Sequence, residues 1–315
     1  MKKVLLVLFA LLLCLSGCSN GGEKKTKVGV IQLVKHEALD KATQGFVDAL
    51  NEKFGDNIEI DVQVAAGDGA TCALMASNMV AENYDLIMCN ATPALQAAAQ
   101  ATSTIPVLGT SVTEYGVALG ISNFSGTVGG NISGTSDLAP LDQQAQMFID
   151  LLPDAKTVGL LYCTSEANSK YQIDVVEEYL KSKGLTVKVY SFPDSSTLDA
   201  TVTAACDEID ALYIPTDNTC ADNGPVIANA AEVKNIPIIT GEKSTLESCG
   251  GLATLSIDYY DLGVTTGNMA IKILNGEADI STMPIEYFAS PVKMISKAKA
   301  EKFDVTIPSD FEIAD

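Results

Sequence analysis

Short apolar runs alternate along this chain with longer stretches in which apolar positions recur every three or four residues. Val28-Gly29-Val30-Ile31 with Leu33 forms the first run. A polar break follows, and then Ala38, Ala42, Phe46, Val47 and Leu50 recur at helical spacing. That pattern predicts a buried strand, a loop and an amphipathic helix. Further strands are predicted over 58–65, 85–91 and 105–112, with helices over 70–82 and 92–101 between them. In the second of these helices Thr92 is placed as N-cap and Pro93 at the first helical position. Residues 117–132 are rich in glycine, serine and asparagine and read as irregular.

The pattern then restarts. Helices are predicted over 143–152, 169–183, 197–206, 223–233 and 262–274, with a short one near Ala298. Strands are predicted over 157–163, 185–192, 211–215, 236–240 and 252–257, with a single late strand over 285–295. Asn275-Gly276 marks the end of the helix before it. Repeated strand–loop–helix units imply parallel sheets with helices on both faces. The fold class is therefore α/β: two open, Rossmann-like parallel-sheet lobes joined by a hinge, with a ligand cleft between them. Lobe 1 is assigned residues 28–135 plus part of a crossing segment at 285–315, and lobe 2 residues 136–284.

The first seventeen residues stand apart from this pattern. Lys2 and Lys3 precede an apolar run from Val4 to Leu15, too short for an ordinary membrane span, so residues 1–17 read as a signal peptide. Leu15-Ser16-Gly17-Cys18 matches the bacterial lipobox, which makes Cys18 the lipidated N-terminus, anchored at the outer face of a membrane. Residues 18–27 form a polar tether.

Charge narrows the partners. The formal net charge is −20, and removing Lys2 and Lys3 with a segment that carries no acid takes it to −22. Such a surface repels nucleic acid. The sequence has no arginine, so a ligand carboxylate has to be met by hydroxyls, helix-start N–H groups or lysine. Beyond Cys14 and Cys18, six cysteines (72, 89, 163, 206, 220 and 249) are widely spaced without a CxxC. They do not suit zinc, and they leave a disulfide such as Cys206 with Cys220 open. With one histidine and no GxSxG, HExxH or Walker A pattern, nothing pairs a nucleophile with a base. No enzyme activity, cofactor or metal is expected.

Several segments together carry a resemblance. Ile31-Gln32-Leu33-Val34 with His36 and Ala38-Leu39-Asp40, then Gly45-Phe46, open it. Ala91-Thr92-Pro93-Ala94, the 165–169 run SEANS, the 215–218 run PTDN and the 257–263 run IDYYDLG continue it in order. The mature chain resembles the bacterial ABC-transporter substrate-binding lipoproteins of the tryptophan/tyrosine-binding type, in the type I periplasmic-binding-protein-like superfamily. The resemblance implies a monomer that captures an amino acid of the aromatic class and delivers it to a permease and its ATPase. It also implies hinge closure around the ligand. A sensor docking to a membrane receptor, or a sugar, a peptide or another amino acid as ligand, stand as the alternatives. The chain departs from the family pattern at Glu37, where proline usually follows the histidine, and at Thr113-Glu114-Tyr115, where Thr-Asp-Pro is usual.

Ligands of open α/β sheets sit beyond the carboxyl ends of the strands, which selects the candidates. Gln32 and His36 follow the first strand. Thr92, Ser111 and Thr113 follow the third and fourth and are the candidates for a carboxylate. Glu166, Asn168 and Ser169 lead into a helix and serve equally as caps. Thr216, Asp217 and Asn218 end a strand, where Asp217 suits a ligand ammonium, and Asp258 is a second amine candidate or a hinge cap.

Overall fold

The computed structural model describes residues 25–288 and 290–314. The segment read as a signal peptide, Cys18 and most of the expected tether lie outside the described residues. Lobe 1 holds a six-stranded, all-parallel sheet built from β1 (Thr26–Gln32), β2 (Ile58–Val64), β3 (Leu86–Asn90), β4 (Val107–Thr110), β5 (Ile132–Ser136) and β11 (Glu286–Tyr287). Their order across the sheet is β11-β5-β4-β3-β1-β2. Central strands of a parallel sheet are covered on both faces, which is why β1 reads as a continuous apolar run. Val28 and Val30 pack on one side with Phe46 and Leu50 of α1 (Glu37–Phe54) and Met269 of α11 (Tyr259–Leu274). Ile31 packs on the other, with Cys72 and Met79 of α2 (Gly69–Ala81) and Leu95 of α3 (Thr92–Ala101).

Lobe 2 has a seven-stranded sheet of β6 (Thr157–Cys163), β7 (Thr186–Phe192), β8 (Ala211–Ile214), β9 (Ile238–Thr240), β10 (Ala253–Ser256), β12 (Val292–Ile295) and β13 (Glu312–Ile313). The order is β13-β12-β10-β9-β8-β6-β7, parallel except where β12 runs against β10. Its helices include α5 (Leu141–Leu151), α6 (Ala167–Ser182), α7 (Ser195–Cys206), α8 (Asn218–Asp222), α9 (Gly224–Lys234) and α10 (Lys243–Ser248).

The chain crosses between lobes three times: after β5, after β10 and after β11. This corrects the expected boundaries. Residues 259–287 belong to lobe 1, and the last strands, at 292–295 and 312–313, return to lobe 2. The single late strand expected over 285–295 is two strands in different sheets. Pro291 lies between them and has no N–H to donate to a ladder.

Two close approaches lock lobe 1. A Cβ on Gly263 would lie 2.0 Å from the Ala42 carbonyl oxygen, and one on Gly45 would lie 2.1 Å from that of Tyr260, so α1 and α11 touch backbone to backbone. In β5, a Cβ on Gly134 would lie 2.1 Å from the Gly109 oxygen and 2.3 Å from the Tyr115 hydroxyl. Tyr115, which opens the short α4 (Tyr115–Leu119), is buried there and donates to the Thr135 oxygen at 3.0 Å. Residues 132–136, outside every predicted strand, therefore form a fully buried one.

The six cysteines outside the signal region are all free thiols and all buried, so the pairing left open between Cys206 and Cys220 is not made. Among the described residues no helix is long and apolar enough to cross a membrane.

Candidate functional site

The strand order reverses in each lobe at its first strand: β1 lies between β2 and β3, and β6 between β7 and β8. Crevices at such reversals are where open α/β sheets bind ligands. The two crevices face each other across the seam. Lobe 1 contributes His36, Ala38, Leu39 and Ser111 to a small chamber. Lobe 2 contributes Asn168, Thr216, Asp217, Asn218, Ala221 and Glu242, and the crossings contribute Asp137 and Tyr259. With the lobes in contact the cavity is only about 20 Å³, room for about one water, so a solute enters only when the lobes part.

Two bonds join the lobes over this chamber. His36 Nε2 lies 3.1 Å from Asn218 Oδ1. The Thr113 and Thr216 hydroxyls are 3.3 Å apart. Asn218 donates its amide to Glu166 Oε2 at 2.6 Å, which turns its oxygen toward the imidazole. An amide oxygen only accepts, so Nε2 carries a proton; Nδ1 is left without a partner.

Buried polar atoms without partners converge on the chamber. They are His36 Nδ1, Ser111 Oγ, Asp137 Oδ1 and Asn168 Oδ1. Thr92 Oγ1, at the first turn of α3, is also buried without a partner. Such groups are costly to bury unless something meets them. Backbone strain collects at the same edge: Ala91 after β3 has φ 93° and Ser111 after β4 has φ 52°.

Three carboxylates are buried around the chamber, and neither lysine nor arginine lines it. Asp137 has its carboxyl pushed up to about 6 by burial, against the pull of the Thr113 and Tyr259 hydroxyls, with Glu242 adding to the rise. Tyr259 donates to Asp137 Oδ2 at 3.0 Å. Asp217 is also raised, first by burial and then by the nearby Glu166 carboxylate. It accepts from the Cys163 N–H at 2.7 Å and the Cys220 N–H at 2.9 Å, the second of these capping α8. Glu242 accepts from the N–H groups of Ser244 and Thr245, both at 2.6 Å, and so caps α10.

The structure brings His36, Ser111, Asn168, Thr216, Asp217 and Asn218 together as chamber lining. Thr113 spans the seam beside them, bonded to Thr216. Other candidates lie elsewhere. Gln32 is held inside lobe 1, donating to the Val34 oxygen and Asp40 and accepting from Thr43. Glu166 is used up on the N–H and side-chain donors of Asn218 and Thr219. Ser169 is buried beneath Asn168. Asp258 is exposed, caps α11 through the Asp261 N–H and lines a separate groove on the hinge side. Thr92 is the first residue of α3, and the capping position falls on Ala91, whose unusual φ makes the turn instead. Glu114, one of the departures from the family pattern, caps α4 through the Val117 N–H.

Sequence reasoning missed Asp137 and Glu242. Glu242 follows the end of β9 at the same carboxyl edge as Asp217, so position alone would have found it. Asp137 was hidden in a stretch read only as the change between halves.

Comparison with known proteins decides the family. The model for ABC transporter substrate binding proteins matches residues 27–313. This chain belongs to that family. Substrate-binding proteins of ABC transporters are solute carriers and not enzymes. They work outside the cytoplasm and pass a small molecule to the transporter's permease. A "Tyrosine-binding protein" of Clostridioides difficile (strain R20291) is 38% identical over 303 residues, covering 90% of this chain and 87% of that protein. The ABC domain from Streptococcus pneumonia in complex with L-Trp is 35% identical with a TM-score of 0.86, covering 90% of this chain and 96% of that one. The ligand-free, open structure of a substrate binding protein with adhesive properties from Clostridium difficile is 36% identical, covering 91% of this chain and 98% of that one, with a TM-score of 0.69. At nearly equal identity, this substrate-binding protein superposes better on the complex than on the open form, consistent with the bonds across its seam.

Proposed function

We propose that this protein captures an aromatic amino acid between its lobes, as a lipoprotein held at the membrane through Cys18, and works as a monomer beside its permease and ATPase. What carries the ligand reading is the convergence of unpartnered buried polar atoms on a chamber closed by both lobes. The relatives named for tyrosine and bound to L-Trp supply the aromatic class. Leu39, Ala38, Ala221 and the Tyr259 ring offer apolar wall for such a side chain. His36, Ser111, Asn168, Thr216, Asp217 and Asn218 are the proposed contacts, with Thr92 and Thr113 serving a carboxylate. Closure follows from selection: a ligand touching both lobes favours the form in which they meet.

A thermal-shift panel of the twenty amino acids tests the ligand. A ligand at 100 times its Kd stabilises the native state by about 2.7 kcal/mol. Tyrosine, tryptophan or phenylalanine should give the largest shift, and Asn168→Ala should reduce it. A largest shift from a sugar, or from an amino acid of another class, would refute the aromatic reading. Lipidation is read by metabolic labelling with a fatty-acid analogue, which Cys18→Ala should abolish.

A further inference from the structure

The unmet groups of the chamber are not an even mixture. Asp137 Oδ1 and Asn168 Oδ1 are oxygens that only accept from a donor while the acid is ionised, and both residues are at least nine-tenths buried. His36 Nδ1 has no partner either; it accepts in the neutral ring whose Nε2–H meets Asn218 Oδ1. Only the Ser111 hydroxyl can give or take. The chamber therefore asks its ligand for donors.

Charge points the same way. Asp137, Asp217 and Glu242 are buried around a space that no lysine or arginine lines. Asp217 and Glu242 each accept two backbone N–H bonds, whereas Asp137 has one oxygen bonded to Tyr259 and leaves Oδ1 without a full hydrogen bond, with the Thr113 hydroxyl its near neighbour. An ammonium supplies three donors and the missing positive charge together. A carboxylate finds only hydroxyls and backbone N–H groups, in the field of three acids.

We infer that the chamber recognises its ligand through a cationic amine bound at Asp137 and Asn168, and that an aromatic monoamine lacking the carboxylate is a ligand of the same site. The inference rests on the aromatic amino acid reading above and extends its substrate class. The amine is the required group and the carboxylate a dispensable one.

The test compares three compounds that share one ring on the unmodified protein by titration calorimetry at pH 7.5: L-tyrosine, tyramine and 3-(4-hydroxyphenyl)propionate. Tyramine should bind within about tenfold of tyrosine, and the acid without an amine at least about 100-fold more weakly, the scale of losing charge-assisted hydrogen bonds in a buried site. Asp137→Asn, checked for folding by its melting curve, should weaken tyrosine and tyramine alike. Should that variant not fold, the three-compound series on the unmodified protein decides alone. If the amine-free acid binds within tenfold of tyrosine, or tyramine fails to bind where tyrosine saturates, the inference is overturned while the ligand reading stands. If none of the three binds, nor tryptophan or phenylalanine, the ligand reading fails and takes this inference with it.

Discussion

His36 and Asn218 lie 182 residues apart in the chain and meet at 3.1 Å, one from each lobe. Because Asn218 is itself held by Glu166, the imidazole closes on a fixed partner and not on a mobile side chain. His36→Ala removes the bond without disturbing the cap on α8. Ligand affinity should fall about tenfold, the size of one hydrogen bond in a partly buried site. Small-angle scattering without ligand should show a larger radius of gyration, since the closed form loses a contact the open form never had. An unchanged affinity and radius would mean that the bond does not hold the lobes.

Acidity should stabilise the ligand-free protein. Asp137 and Asp217 have folded-state values above the ordinary carboxyl range, so the folded protein keeps protons that the unfolded chain has released. Their stabilising contribution is complete below about pH 4, the value of an unperturbed Asp, and is lost as pH rises toward and past about 6 for Asp137. Urea unfolding at pH 5 should give a stability about 1–3 kcal/mol above that at pH 7.5. Asp137→Asn should flatten the slope. Surface acids such as Asp210, held low by the Lys156 and Thr157 N–H groups, titrate below this window and do not oppose it.

The thiols should be inert until the protein opens. Burial pushes Cys249 up to about 12 and raises Cys89 and Cys220 as well. Thiolates are the reactive form. A colorimetric thiol reagent should react slowly with the native protein, and in denaturant should count all six cysteines outside the signal region as free. A lower count without reductant would place a disulfide where the structure has none.

Gly263→Ala should cost about 1–3 kcal/mol or more, the range for forcing atoms into a packed interior. Its new methyl would meet the Ala42 carbonyl oxygen at 2.0 Å, and no side chain is available there to yield. Chemical denaturation reads the loss. Ligand affinity should change little, since Gly263 and Ala42 lie outside the chamber lining.

The strand–loop–helix rhythm around His36, Thr92, Ser165 and Asp217 was legible because apolar runs and helical spacing mark it locally. Residues 132–136 were not legible: Ser133, Gly134, Thr135 and Ser136 look like a loop. Gly134 has no room for a side chain beside the Gly109 backbone and the Tyr115 hydroxyl, a contact that only the tertiary structure supplies. The lobe boundaries failed for a related reason. Nothing local tells α11 that it belongs on α1, apart from glycines at positions 45 and 263 whose pairing sequence alone does not show. At the site, the strand-end rule found Asp217 and Asn168. It also put forward Gln32 and Asp258, which carry the same polar character but spend it on neighbours in their own segments. Asp137 escaped because it sits on a crossing and not beyond a strand end that a repeat would reveal.

The three crossings give the molecule a kind of mechanical redundancy. A protease that cuts one of them leaves the lobes tied by the other two, so a nicked protein should run as fragments in denaturant yet stay whole in native solution. The same threading means that neither lobe is a contiguous stretch of chain. Lobe 1 is complete only once residue 287 is available and lobe 2 only once 313 is, so neither half of the cleft is finished before the last crossings are made.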